Sequence, residues 1–364
     1  MSKEREITEL ATELMKFKST SRNQREIENI VSFAENYFEN KKLFVKRYEK
    51  NKKHALVVTF EDSKTPKIFL NGHLDVVDAS DEEFMPRIES GILFGRGAAD
   101  MKGAVASMMK VIDYFAEHEI APSLGLMLTT DEEEGGFDGV GYLLGEEGFA
   151  CDIAIIPDGG KNTLAIVNKA KGVLQIKVVA RGRSAHGSTP WSGDNAIDKI
   201  LIGYLNSRKI FPNINSQDLW ESSLNLGVIK GGDKANKVPE YAEMFLDIRL
   251  TEKEDMEDIF KKICDAFKDC EVEKIATGAI FFTSEHNKYM NSYVETLQQT
   301  TGEEVYFTNA HGASDARFFA AKNIPAIVNQ PLSGNIHAEK EWINIKAMET
   351  FYEVLVQYIK KEGY

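Results

Sequence analysis

Cysteine is scarce: only three occur in 364 residues, and none stands in Cys-x-x-Cys spacing. Cys151, Cys264 and Cys270 therefore offer neither a disulfide framework nor a thiolate metal site, and they fit a reducing compartment. A basic surplus is also lacking. The formal charge of −13 provides no broad phosphate-binding face and excludes a general nucleic-acid binder. No run of about 18 apolar residues is present to span a membrane, and the charged start MSKEREITEL is unlike a signal peptide. Internal repeats and low-complexity linkers are absent as well. The expectation is a cytoplasmic globular protein with no membrane and no nucleic-acid partner. Its 43% hydrophobic content can fill the core of one large domain or two ordinary ones.

What is present falls into two textures. Helical spacing joins Ile7, Leu10, Ala11, Leu14 and Met15, and again Ile27, Ile30, Val31 and Ala34. Short apolar runs follow at residues 55–60, 68–70, 124–128 and 153–156, with a helix-like stretch over 103–117. Runs that are apolar on both faces and separated by helices predict an open α/β sheet. From Val173 the pattern changes to strict alternation, with Leu174, Ile176, Val178 and Ala180 against polar neighbours. A helix from about Asp194, strands near 224–229 and 241–250, a helical stripe from Met256 to Phe267 and a strand over 270–276 complete a β-α-β-β-α-β order. That order is the split ferredoxin-like unit. The first texture returns after residue 285. Residues 1–172 and 285–364 are thus expected to form an α/β catalytic domain, and 173–284 an inserted α+β domain.

In open α/β sheets, ligands bind beyond the carboxyl ends of the strands. The run 68–70 leads into NGHLD with His73 and Asp75; the run 124–128 leads into TTDEEEGG; the run 153–156 leads into PDGG with Asp158. GRGAADMKG places Asp100 in a glycine-rich turn before a helix, and GNIHAEKEWI places His337 after another loop. Each piece has a plain alternative: a solvated acidic loop, a helix cap, a turn histidine. Together they form a set of nitrogen and oxygen donors without thiolates, which suits zinc and also cobalt or manganese. Two histidines with several carboxylates further suit a two-metal hydrolytic site.

The ordered set NGHLDVV, GRGAADMKG, TTDEEEGG, PDGG, RSAHGSTPWSGDNAI, GGDKANKVPE, DIRL, HGASDARFF and IHAEKE resembles the co-catalytic zinc peptidase family. That family includes aminoacylase, acetylornithine deacetylase, succinyl-diaminopimelate desuccinylase, glutamate carboxypeptidase and di- and tripeptidases. The resemblance runs from about residue 5 to the C-terminus. It implies a zinc-exopeptidase-like α/β catalytic domain with an inserted ferredoxin-like lid domain, and two divalent metal ions per chain. Asp100 would bridge the metals, His73 and Asp158 would complete one site, and Glu133 and His337 the other. Asp75 would orient the His73 ring, and Glu132 would be the general base. A cis peptide after Asp100 is also implied. So are a lid histidine, His186, that reaches the partner site in a homodimer, and a substrate-carboxylate clamp of Arg249 with Asn236. Gly312 and Ser314 would add backbone and hydroxyl contacts.

The resemblance implies a small peptide or an N-acyl amino acid as substrate. Aspartate at position 158, where most deacylases and carboxypeptidases of the family have glutamate, goes more often with enzymes acting on free amino termini. HGASDARFF instead resembles the deacylase and carboxypeptidase branch. A further departure is Ala338-Glu339-Lys340 after His337, where many relatives carry Asn or Asp before the glutamate matching Glu341. The expectation is an exopeptidase or dipeptidase, with N-acyl-amino-acid deacylase or carboxypeptidase as the alternative. Outside this class stand a two-metal phosphoesterase, for which no basic cluster flanks the motifs, and a catalytically silent ligand-binding homologue.

Overall fold

The computed structural model describes residues 2–160, 162–211 and 219–364. The chain divides into two compact units, one of Met1–Lys169, Phe282–Ala310 and Ser314–Tyr364, the other of Ala170–Phe281 and His311–Ala313. No helix among the described residues is long and apolar enough to cross a membrane.

The first unit is built on a mixed sheet in which strands Phe44–Lys50, Lys53–Thr59, Leu124–Thr129, Ile68–His73, Ile153–Ile156, Ala326–Val328 and Ala165–Ala170 lie side by side. Ile68–His73 runs parallel to both of its neighbours, pairing His73 with Thr129 and Leu70 with Ile155. The carboxyl ends of these three strands therefore come together at one edge of the sheet. Alternate residues Leu56, Val58, Leu70, Leu126 and Ile155 join one cluster with apolar residues of helices Lys3–Met15, Gln24–Phe38, Gly103–Glu117, Lys288–Thr301 and Ile345–Glu362. Residues that face the other way, such as Val57, Phe69, Met127 and Ile156, are buried too. Both faces are covered, which is why these strands read as continuous apolar runs. At Gly72 a side chain would press within 2.8 Å of Met108 Cε and 2.9 Å of Val105 Cγ2, so only glycine lets the strand meet the helix Gly103–Glu117 this closely.

A small second sheet orders strands Ser333–Gly334, Trp342–Asn344, Ile92–Phe94 and Arg87–Glu89. It sets the loop 335–341 beside the segment that follows Phe94, through the pairing of Trp342 with Phe94. Strands of two or three residues have no readable periodicity, so sequence patterning does not reveal this sheet.

In the second unit, strands Ser223–Gly231, Tyr241–Leu250, Gly172–Arg181 and Cys270–Gly278 form an antiparallel sheet in that order. Its helices, Ala196–Ser207 and Met256–Ala266, supply Ile200, Ile259 and Ile263 to a core with Leu174, Ile176, Val178, Met244 and Leu246. Asn195 and Asp255 cap their first turns by accepting backbone N–H groups.

Candidate metal centre

His73 is the last residue of its strand, and only 1% of its surface is exposed. Its Nε2 lies 2.9 Å from Asp100 Oδ1. Asp100 stands in the short segment Ala98–Lys102, immediately before the helix Gly103–Glu117, and the Asp100–Met101 peptide bond is cis. Its carboxylate does not cap that helix. The second oxygen, Oδ2, lies 3.0 Å from His337 Nε2, which is also 3.1 Å from Glu133 Oε1. One carboxylate thus faces a histidine with each oxygen.

The ligand atoms gather into two groups of three, His73 with Glu132 and Asp158, and Asp100 with Glu133 and His337. Within each group they lie within 4.8 Å of one another. The TTDEEEGG loop is therefore not a solvated acidic loop: Glu132 and Glu133 are half-buried, and Glu134 alone of the three glutamates is exposed. His337 is a turn residue with a left-handed backbone, but its ring is tied to two carboxylates. Asp75 differs in detail from a simple carboxylate partner for the ring. Its main-chain oxygen is 3.0 Å from His73 Nδ1 and its Oδ1 is at 3.4 Å, while its Oδ2 accepts the Glu133 N–H at 3.1 Å. Asp75 therefore connects the His73 strand end to the glutamate loop.

Negative charge is in excess here. Burial, opposed by His73 and reinforced by Asp100, pushes the Asp158 carboxyl up to about 7. Burial and then Asp158 raise Glu132 well above the carboxylate range. Burial also opposes ionisation of Asp100, but hydrogen bonds to His337 and His73 prevail and hold it low. The Asp100 and Asp75 carboxylates overcome burial to raise His73, and Asp100 with Glu133 raises His337 to about 10. So many carboxylates crowded together are compensated only by protons until a cation is supplied. Buried Asp75 Oδ1 has no hydrogen-bond partner among the described residues. The donor set and this charge excess both fit divalent cations, with His73 Nδ1–H donating to Asp75 once Nε2 faces a metal.

Several residues around the site were not singled out by sequence. Asp315 and Asp131 are 2% and 3% exposed and carry buried Oδ1 atoms without partners among the described residues. Burial followed by repulsion from Asp131 raises Asp315 well above its usual range, and burial with Asp75 raises Asp131 to about 6. Lys102 is fully buried, donates to the Phe17 carbonyl at 2.9 Å, and is lowered by burial to about 7. Asp315 lies inside HGASDARFF, so a signal for it existed, but nothing in that stretch distinguishes a buried carboxylate from a loop one. Ser314 Oγ accepts the Ala316 N–H at 3.4 Å.

The other expected residues belong to the second unit. His186 is exposed, with Nδ1 2.8 Å from Ser188 Oγ. The Asn236 main-chain oxygen accepts the Gly187 N–H at 2.7 Å. Arg249 Nε donates to Asp247 Oδ2 at 2.9 Å, the local ion pair that their shared strand face allows. Gly312 lies with His311 and Ala313 in this unit.

Known proteins resemble the chain at every level. Succinyl-diaminopimelate desuccinylase of Sulfurovum sp. (strain NBC37-1) is 25% identical, covering 97% of this chain and 98% of that one. The structure of aminopeptidase PepT from Bacillus cereus ATCC 10987 superposes with a TM-score of 0.80 at 20% identity, covering 99% of both chains. A tripeptidase from Staphylococcus aureus subsp. aureus Mu50 does so with a TM-score of 0.76 at 21% identity, over 100% of this chain and 99% of that one. These two structures share the α/β fold. The model of peptidase family M20/M25/M40 matches residues 69–361, the span that carries His73, Asp100, the glutamate pair, Asp158 and His337, and the chain belongs to that family of metal-dependent hydrolases.

Proposed function

We propose that this hydrolase holds two divalent cations, zinc in the first instance, and cleaves the amide bond of small peptides that bear a free amino terminus. The observation that carries this reading is Asp100, whose two oxygens face His73 at 2.9 Å and His337 at 3.0 Å. His73 and Asp158 would hold one cation and Glu133 and His337 the other, with Asp100 offering an oxygen toward each histidine. Two divalent cations bound there would supply Lewis acidity toward a water and the scissile carbonyl. Glu132 takes the proton of the attacking water and delivers it to the leaving amine. Asp75 keeps the His73 ring and the Glu133 loop in register. By family likeness, His186 donates to the developing oxyanion, Arg249 and Asn236 bind a substrate carboxylate, and Gly312 and Ser314 add backbone and hydroxyl contacts to the substrate. With Nδ1 turned to Ser188 Oγ, His186 has Nε2 left for that task.

The second reading, an N-acyl-amino-acid deacylase, is favoured by the desuccinylase relative that aligns over nearly the whole chain. The two are separated by a hydrolysis panel on zinc- or cobalt-loaded enzyme, comparing free-amine dipeptides with their N-acetylated and N-succinylated forms. Free-amine cleavage alone is the expected result. Cleavage confined to acylated substrates makes the protein a deacylase and removes Asp158 as a guide to substrate.

The second unit also supports a homodimer. Its helix Ala196–Ser207 exposes Ile202 (61%) and Leu205 (62%), and the edge strand Ser223–Gly231 exposes Val228 and Ile229. An unpaired edge strand beside exposed apolar residues invites a second copy. Light scattering after size exclusion should give twice the chain mass, and Ile202→Glu with Leu205→Glu should give the single chain. A monomeric wild-type protein would remove the dimer and the cross-subunit role of His186. Free cysteines throughout the described chain agree with a cytoplasmic location.

A further inference from the structure

We infer that the buried pair Arg96–Glu341 is a positioning device that fixes the Asp100 carboxylate and the His337 loop with respect to each other, and so sets the spacing of the two cation ligand groups. Glu341 is 0% exposed and Arg96 is 4% exposed. Glu341 Oε1 accepts the N–H groups of Ala99 at 2.8 Å and of Asp100 at 2.9 Å. Its other oxygen accepts from Arg96 Nη1, and its main-chain oxygen accepts the Gly95 N–H at 2.9 Å. Arg96 Nη2 then donates to the carbonyl of Ala338, the residue after His337, at 3.3 Å. One carboxylate and one guanidinium thereby connect the backbone of Asp100 to the backbone beside His337.

The loop needs such a tie. Asn335, His337 and Lys340 all have left-handed backbones, and the His337 side chain is 48% exposed, so packing does little to hold the ring. Lys340 N–H anchors the far end of the loop to Glu83 Oε1 at 3.0 Å, but the anchor next to the histidine is Arg96. On the Asp100 side, Gln330 Nε2 donates to the Ala99 carbonyl while Glu341 accepts the Asp100 N–H, so the peptide before Asp100 is gripped from both sides. A buried ion pair is weak evidence for stability, since apolar side chains of similar volume often serve as well. What this pair adds is direction: two amide donors and one carbonyl receive fixed partners. The planar fork serves Glu341 and Ala338 from two separate nitrogens in a fixed geometry, which the single nitrogen of a lysine ammonium does not reproduce.

The inference rests on Asp100 and His337 being cation ligands. It is tested by cobalt titration of the full-length protein, wild type against Arg96→Lys and Glu341→Asp. The readouts are cobalt affinity by chelator competition, the visible cobalt absorption bands, and kcat and KM at saturating metal. Loss of an outer partner of a metal ligand typically weakens affinity about 10- to 100-fold. The expected result is a loss of that size for at least one of two cobalt ions, altered bands, and a lower kcat at unchanged KM, with the circular dichroism of the wild type. Folded variants with wild-type affinity and bands overturn the inference. If Glu341→Asp does not fold, Arg96→Lys decides; if neither folds, the pair is a stability element and the inference fails. Wild-type protein that binds no cobalt, or a His73→Ala variant that binds it undiminished, instead fails the site reading itself.

Discussion

Glu132→Gln lowers the turnover of an amide substrate by about 10²- to 10⁴-fold and leaves the bound cations in place. Glutamine keeps the shape of the side chain but cannot take a proton from water. Glu132 is half-buried beside His73 and Asp158, and without metal, burial and then Asp158 raise its carboxyl well above the ordinary range. It is also close enough to His73 and Asp158 to serve as a ligand in its own right. The variant separates the two roles. Metal analysis together with single-turnover kinetics should show full metal content and a slow chemical step. Metal lost in parallel with activity would make Glu132 a ligand and would leave the general base to be found elsewhere.

Removal of the cations abolishes activity and lowers the melting temperature, and rebinding releases protons. Without metal, His337 is held protonated up to about 10 and Asp158 up to about 7, while His73 is raised as well. A cation requires the neutral imidazoles and the ionised carboxylate, so protons compete with it. Affinity must therefore strengthen as pH rises and weaken as pH falls through neutrality. Free metal at about 1,000 times its dissociation constant stabilises the native state by about 4 kcal/mol. Calorimetry in buffers of different ionisation enthalpy measures the protons released, and a melting curve with and without chelator measures the stabilisation. Binding without proton release would mean that the ligands are not these groups.

Much of this site is legible in the sequence because parallel strands place their ends together. His73 ends a strand whose register pairs it with Thr129, one turn of chain before the glutamate loop, and Asp158 follows the next strand over. Local apolar runs identify the strands, and the residues after them identify the chemistry. The strand Phe44–Lys50 escapes this reading because none of its residues is fully buried, so it carries no apolar run. Asp131 and Asp315 escape because a carboxylate becomes unusual only through burial, which depends on packing between distant segments. The link from Arg96 to Glu341 spans 245 positions and depends on the short strands that pair Trp342 with Phe94. The detail at Asp75 is likewise tertiary: the family resemblance implies that it meets the His73 ring, but not that its carboxylate turns to the Glu133 amide.

The most direct measurement is anomalous diffraction at the zinc edge from crystals of the zinc-loaded protein. Two peaks about 3.5–4 Å apart are expected, one beside His73 and Asp158, one beside Glu133 and His337, with Asp100 between them. A single peak, or peaks away from Asp100, would contradict the bridged two-cation site.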